Sequence, residues 1–86
     1  MARKTRQDNV LDYLNDWCDG QKFYAHNVSR ETIIANIAEE TIAWHVISDT
    51  SGMRTMYRSI VRGMLEDGTL RICGRFPAHT QQWIEV

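Results

Sequence analysis

Three arginines spaced four residues apart are the side chains of this sequence best suited to binding a charged ligand. Arg54, Arg58 and Arg62 lie in residues 53–66, where apolar residues recur at intervals of three and four. This spacing predicts a helix with one buried side and with the arginines aligned outside it. Because guanidinium groups make paired hydrogen bonds to phosphate or guanine, the helix is a candidate for presenting cations to a nucleic acid.

The sequence contains no pattern typical of an active site. It has no paired carboxylates in an apolar setting, no nucleophile motif and no glycine-rich phosphate loop. The cysteines and histidines are scattered and lack the spacing of metal ligands; they are Cys18, Cys73, His26, His45 and His79. We therefore expect no enzymatic activity, no metal and no cofactor.

Length and composition predict a single domain over residues 1–86, with residues 1–5 as a flexible basic arm. The chain is 43% apolar and its net charge is −1. It lacks an apolar run long enough to span a bilayer, and its start does not resemble a signal peptide, so we expect a cytoplasmic protein without membrane contact. The charge is uneven, since residues 1–50 carry five basic and eight acidic side chains and residues 51–86 carry five arginines and three acidic side chains.

Two further helices are predicted before the arginine-bearing one. The first begins after Thr5, with Asp8 completing a capping box, buries Val10, Leu11, Leu14, Trp17 and Cys18, and stops at Gly20. Residues 21–28 form a short strand or an extended connector, with Phe23 as the core anchor. The second helix begins after Ser29; its apolar phase drifts beyond residue 40, which fits one long helix or two short ones. Residues 48–52 interrupt the helical pattern. Asp49, Thr50 and Ser51 are the candidate caps of the arginine-bearing helix.

A β-hairpin is predicted after the arginine-bearing helix, which ends at Gly68. Residues 69–75 and 81–86 alternate between apolar and polar side chains as strands do. The expected fold class is therefore α+β, with three or four helices and a C-terminal hairpin.

This order of elements resembles the winged helix-turn-helix family of DNA-binding domains. The closest local match is residues 54–70, RTMYRSIVRGMLEDGTL, which is similar to a recognition helix followed by the glycine that precedes the wing. The resemblance implies a C-terminal β-hairpin wing and the insertion of residues 53–66 in the major groove of double-stranded DNA. A transcriptional regulator, acting as a homodimer on two half-sites, is the function implied.

The resemblance also implies which side chains contact DNA. On the helix they are Arg54, Thr55, Arg58, Ser59 and Arg62, and on the wing they are Arg71 and Arg75. The basic residues Arg3, Lys4 and Arg6 at the start of the chain would add phosphate contacts.

A second function remains open at this point. The first helix repeats Asp8, Asp12 and Asp16 at four-residue spacing, with Asp19 close by, and this acidic face could meet a basic protein partner. The alternative is therefore a winged-helix protein-interaction module, such as a phage or mobile-element inhibitor of a host defence protein. Such a module would use the acidic helix-one face or the aromatic side chains of Trp44, Tyr57 or Trp83.

Overall fold

The computed structural model describes residues 4–74 and 81–86. These residues form an α+β fold, as the sequence predicts, of three α-helices, one π-helical turn and a three-stranded antiparallel sheet. The elements in chain order are α1 (Arg6–Asp12), the π turn (Tyr13–Trp17), β1 (Gln21–Ala25), α2 (Arg30–Trp44), α3 (Ser51–Glu66), β2 (Arg71–Cys73) and β3 (Gln81–Glu85). None of the described helices has both the length and the apolar character needed to cross a bilayer.

Each α-helix begins at a side-chain cap. Thr5 and Asp8 form the predicted capping box, with hydrogen bonds of 3.1 Å and 3.0 Å between each side chain and the other residue's backbone N–H. Ser29 accepts from the Thr32 N–H at the start of α2. Of the three candidate caps for α3, Thr50 is the one that accepts a backbone N–H, that of Met53. These caps satisfy amide groups that have no partner within the helix.

The predicted buried side of the first helix is wrong at Trp17, because the helix continues into a π turn there. Val10, Tyr13 and Leu14 are buried, whereas Trp17 is 68% exposed. A π turn uses more residues than an α turn, so it delays the rotation of the chain after Tyr13. Cys18 packs against the core, as predicted, whereas Trp17 is turned outward.

The apolar residues after residue 40 shift around the helix axis because the helix ends soon afterwards. α2 is one helix that ends at Trp44, and the chain then reverses through Val46, whose φ is +53°. The Val46 N–H donates to the Ala43 carbonyl and the Ile47 N–H to the Ile42 carbonyl, which is the hydrogen-bond pattern of a Schellman motif. Val46 is consequently 90% exposed, while Ile47 turns back and packs against the core.

The sheet has the strand order β1-β3-β2, so β3 is central. β1 confirms the strand alternative for the start of residues 21–28. Its register pairs Phe23 with Trp83, and Trp83 pairs with Cys73 on the other side. This row lies on the outer face of the sheet, because the neighbouring position Ile84 is the buried one. The prediction of Phe23 as a core anchor is therefore wrong; its side chain is 53% exposed.

The core lies between the three helices and the inner face of the sheet. Its buried apolar side chains are Val10, Tyr13, Leu14, Ile33, Ile34, Ile37, Ala38, Ile42, Tyr57, Val61, Met64, Leu70 and Ile84. Because α2 and α3 contribute most of this set, the core fixes α3 on its apolar side and leaves its polar side toward solvent.

Candidate nucleic-acid interface

α3 presents a polar face built on a well-buried apolar side. Tyr57, Val61 and Met64 are buried, and Met53, Ile60 and Leu65 pack against the core. Met56 occupies one of the apolar positions predicted to be buried, but its side chain is 38% exposed. The outer arc of the helix carries the small side chains of Gly52, Thr55, Ser59 and Gly63, all exposed. The arginines form a ridge along one flank of that arc, since residues four apart share a helix face.

Arg54 at the start of this ridge is held by a carboxylate from the preceding loop. Its Nε and Nη2 donate to the two carboxylate oxygens of Asp49 at 2.6 Å and 2.8 Å. The pKa of Asp49 is lowered by the hydrogen bond and charge of Arg54, and the pKa of Arg54 is raised by the same contact. Both side chains are about half exposed, at 45% and 52%. This pair therefore stays in contact with solvent.

Arg62 at the far end of the ridge reaches across to α2. Its Nη2 donates to Oε2 of Glu31 at 2.7 Å. The contact joins the fourth turn of α3 to the first turn of α2. Glu31 is more exposed than Arg62, so this pair too lies at the surface.

Arg58, in the middle of the ridge, has no carboxylate partner within the described residues. Its Nη2 donates only to the Thr55 hydroxyl, at 3.3 Å, and that hydroxyl itself donates to the Ser51 carbonyl at 2.9 Å. Ser59 beside it is exposed. Arg58, Thr55 and Ser59 thus form a polar cluster whose cation is available to an anion.

Arg71 is the wing arginine that the structure describes. It donates to Oε2 of Glu85 at 2.9 Å across the β2–β3 pair. The other oxygen of Glu85 accepts from the Cys73 thiol at 3.1 Å and from the Trp83 indole N–H at 3.0 Å. These two hydrogen bonds, followed by the charge of Arg71, lower the pKa of Glu85. Arg75, the second predicted wing contact, lies outside the described residues.

Arg30 is a cation that the sequence reasoning did not assign to the interface. It is the first residue of α2 after the Ser29 cap, and no carboxylate within residues 4–74 and 81–86 pairs with it. With Arg71 it lines a groove of about 450 Å³ whose apolar wall is formed by Leu65, Leu70 and Ile72. The sequence signal for this assignment is a basic residue directly after a helix cap, because a helix N-terminus and a cation beside it both attract anions.

The basic start of the chain is tied to the first helix where the structure describes it. Lys4 Nζ contacts Asp12 Oδ2 at 2.5 Å, and Thr5 forms the capping box. Arg3 lies outside the described residues. Lys4 therefore neutralises part of the acidic face of α1.

The cysteines and histidines that the structure describes are not grouped into a metal-binding cluster. Cys18 and Cys73 are free thiols. Within the described ranges, no group of three histidine, cysteine, aspartate or glutamate side chains could hold a metal ion. His79 lies outside those ranges.

Comparison with known proteins does not assign the chain to a family. No family model, no curated protein and no solved structure matches it. The arguments on function below therefore depend on the geometry of this chain alone.

Proposed function

We propose that this chain is a winged-helix DNA-binding protein, and that it regulates transcription by inserting α3 in the major groove. The element order of helix, strand, two helices and two strands, and the sheet order β1-β3-β2, are compatible with such a fold. Six residues separate α2 from α3, which is longer than a tight helix-turn-helix connection.

The observation that carries the proposal is that Arg58 has no carboxylate partner within the described residues. A groove-facing helix needs a cation that is not already neutralised, and Arg58 is free of carboxylates within the described part of the chain. The small side chains beside it let the helix backbone approach base edges closely, and the hydroxyls of Thr55 and Ser59 can donate to base or phosphate oxygens. Arg58 therefore has the chemistry for reading a guanine from the middle of the helix.

The ion pairs of Arg54 and Arg62 are compatible with DNA binding. Exposed pairs of this kind contribute little, because water screens the charges and two side chains are immobilised. Exchanging Asp49 or Glu31 for a phosphate therefore costs little. Each carboxylate holds its arginine until a phosphate replaces it.

Arg30 and Arg71 extend the basic surface beyond the helix. Both line the same groove between α2, α3 and β2, which lies at the C-terminal end of α3. Contacts from these two side chains to the DNA backbone would fix the orientation of α3 in the groove, as phosphate contacts do in other complexes.

The net acidic charge of the chain is compatible with this proposal because its charges are segregated. Asn9 of α1 donates to the Tyr57 hydroxyl on the buried side of α3, at 3.0 Å. The side of α1 that carries Asn9 therefore meets the buried side of α3 and not its arginines. The aspartates of α1 would face away from bound DNA and disfavour its binding to the wrong side of the protein.

The proposal is tested by fluorescence anisotropy with a labelled duplex selected from a random pool. We expect the affinity to fall at least tenfold between about 50 mM and about 200 mM salt. Arg58→Ala should weaken binding to the selected site by about 1–3 kcal/mol. Arg58→Lys, which keeps the charge but loses the paired geometry, should recover only part of that loss.

Lys22→Ala is the matched control, because it removes one positive charge from β1, which has no part in the proposed DNA-binding surface. It should change the affinity less than Arg58→Ala does. Equal losses from the two variants would mean that net charge alone is measured, and the proposal would be wrong. No binding at low salt, or an affinity that does not depend on salt, would also contradict it.

A further inference from the structure

Two tryptophans on the α1 and α2 side of the molecule face solvent. Trp17 is 68% exposed and Trp44 is 36% exposed. Tryptophan is usually buried for most of its surface, and exposed tryptophans are enriched at protein interfaces. Neither side chain takes part in the interface proposed for α3.

The two tryptophans are connected through Tyr13. The buried Tyr13 ring meets the Trp44 ring edge-on, with 6.2 Å between ring centroids. Trp17 follows Tyr13 by four residues within the π turn, so the two residues are neighbours there, with the Tyr13 side chain buried and the Trp17 side chain exposed. Trp17 therefore lies at the surface beside the residue that contacts Trp44. π turns occur frequently at functional sites.

Each of the two tryptophans has a carboxylate close to it along the chain. Asp16 precedes Trp17, and Glu40 lies one helical turn before Trp44. Both are exposed, and neither forms an ion pair within the described residues. Glu40 is close enough to Tyr13 that its charge adds to burial and to Cys18 in raising the pKa of the Tyr13 hydroxyl. We call Trp17, Trp44, Asp16 and Glu40 the aromatic–acidic patch.

Two lysines lie near the patch, but neither forms an ion pair with Asp16 or Glu40 within the described residues. Lys22 Nζ donates to the Tyr13 hydroxyl at 3.1 Å and lies 5.7 Å from the centroids of both the Tyr13 and Tyr24 rings. Lys4 is paired with Asp12. Asp16 and Glu40 are therefore available to cations from outside the chain.

We propose that the aromatic–acidic patch docks an arginine- or lysine-bearing amphipathic segment of a partner protein. Apolar side chains of that segment would cover the tryptophan rings, its guanidinium or ammonium groups would lie over ring faces, and the carboxylates would pair with its cations. Symmetric pairing of two copies of this chain would place Asp16 and Glu40 against the same carboxylates of the second copy, which is repulsive. The charge of the patch therefore selects a basic partner.

Isothermal titration calorimetry with model peptides tests this proposal. The probe is a short amphipathic peptide of arginine, leucine and alanine, and its counterpart carries glutamate in place of every arginine. We expect the arginine peptide to bind and the glutamate peptide not to bind. Trp17→Ala should weaken binding about tenfold, as expected for a central aromatic contact. Asp16→Asn should weaken it less, with a smaller salt dependence than the wild type.

Phe23→Ala is the matched control, because it removes an exposed aromatic ring from the outer face of the sheet. It should leave peptide affinity unchanged, as should Arg58→Ala on the proposed DNA-binding surface. Circular dichroism and the unfolding midpoint check that each variant is folded. If Trp17→Ala is not folded, Asp16→Asn still tests the patch.

Three results would overturn the proposal. The first is equal binding of the two peptides, and the second is equal loss of affinity from Trp17→Ala and Phe23→Ala. The third is a dimer or longer assembly, seen by sedimentation, that Trp17→Ala converts to monomer, because the occupant would then be a second copy of the chain. None of these results bears on DNA binding, so the two proposals fail separately.

Discussion

The guanidinium of Arg62 in α3 and the carboxylate of Glu31 in α2 form an ion pair with 2.7 Å between Nη2 and Oε2. They are 31 positions apart in the chain. If α3 contacts DNA, Glu31 competes with phosphate for Arg62. The carboxylate that orients this arginine therefore also limits its affinity for an anion.

Glu31→Gln should consequently increase affinity for DNA, by up to about fivefold, because the exposed pair is worth no more than about 1 kcal/mol. Its free energy of unfolding should change by less than about 0.5 kcal/mol. Anisotropy and denaturant unfolding measure the two quantities. Asp16→Asn removes the same charge from the π turn and should raise the affinity less. A decrease in affinity for Glu31→Gln would show that the pair positions Arg62 for binding.

Gly74 should not tolerate a side chain. Its φ is +77°, and a Cβ atom there would overlap the Trp83 ring and approach the Gln81 carbonyl oxygen to 3.0 Å. Gly74→Ala should lower the free energy of unfolding by about 1–3 kcal/mol, through strain in the backbone and displacement of the indole. Urea unfolding followed by circular dichroism measures the loss.

Gly63→Ala is the contrasting variant for Gly74→Ala. Gly63 lies within α3 and a Cβ atom there would meet nothing within 4 Å. Alanine should therefore stabilise the protein by about 0.5–1 kcal/mol, because it loses less backbone freedom on forming a helix. Equal effects of the two substitutions would contradict the packing of Trp83 on Gly74.

Val46 holds a β-branched side chain in the left-handed region, at φ +53° and 90% exposed. The Schellman motif at this position favours glycine, so Val46→Gly should raise the free energy of unfolding by about 1 kcal/mol. Val46→Ala keeps a Cβ atom at the same φ and should have a smaller effect. Thermal and urea unfolding compare the three proteins. A destabilised Val46→Gly protein would indicate that the valine makes contacts in solution.

Glu85 should contribute to stability in a pH-dependent way. Its pKa is lowered from the usual 4.5 by hydrogen bonds from Cys73 and Trp83 and by Arg71. The unfolded chain therefore binds the proton more readily, so the contribution is complete above about pH 4.5 and is lost as the pH falls through the lower folded pKa. Urea midpoints between about pH 6 and about pH 3 should fall less steeply for Glu85→Gln than for the wild type. Parallel curves would mean that Glu85 is not held by these contacts.

Interactions close in sequence were predictable from the sequence. The caps at Thr5 and Ser29 each involve a residue three positions later, so residue type and spacing suffice to identify them. α3 was predicted at residues 53–66 and is observed at Ser51–Glu66, because seven apolar residues agree on one helical period and the break before it is polar. The α+β class followed from the same local signals.

The orientation of individual side chains was not predictable in this way. Trp17 fits the α-helical period of the first helix, and only the π turn moves it to the surface. Phe23 has the composition of a core residue, but the pairing of β1 with β3 places it on the outer face. The first outcome depends on a π turn that the apolar period does not reveal, and the second on a strand about 60 positions away in the chain.

The candidate site, too, was predictable from the sequence only in part. The sequence determined which residues of α3 are polar and that three arginines lie on one flank of the helix, because helical geometry alone sets those positions. The tertiary structure decided which arginines are neutralised, since Glu31 is brought to Arg62 by helix packing and Arg58 is left without a carboxylate. It also brought Arg30 and Arg71 to one groove. Charge pairing acts through space, and only the folded chain fixes those distances.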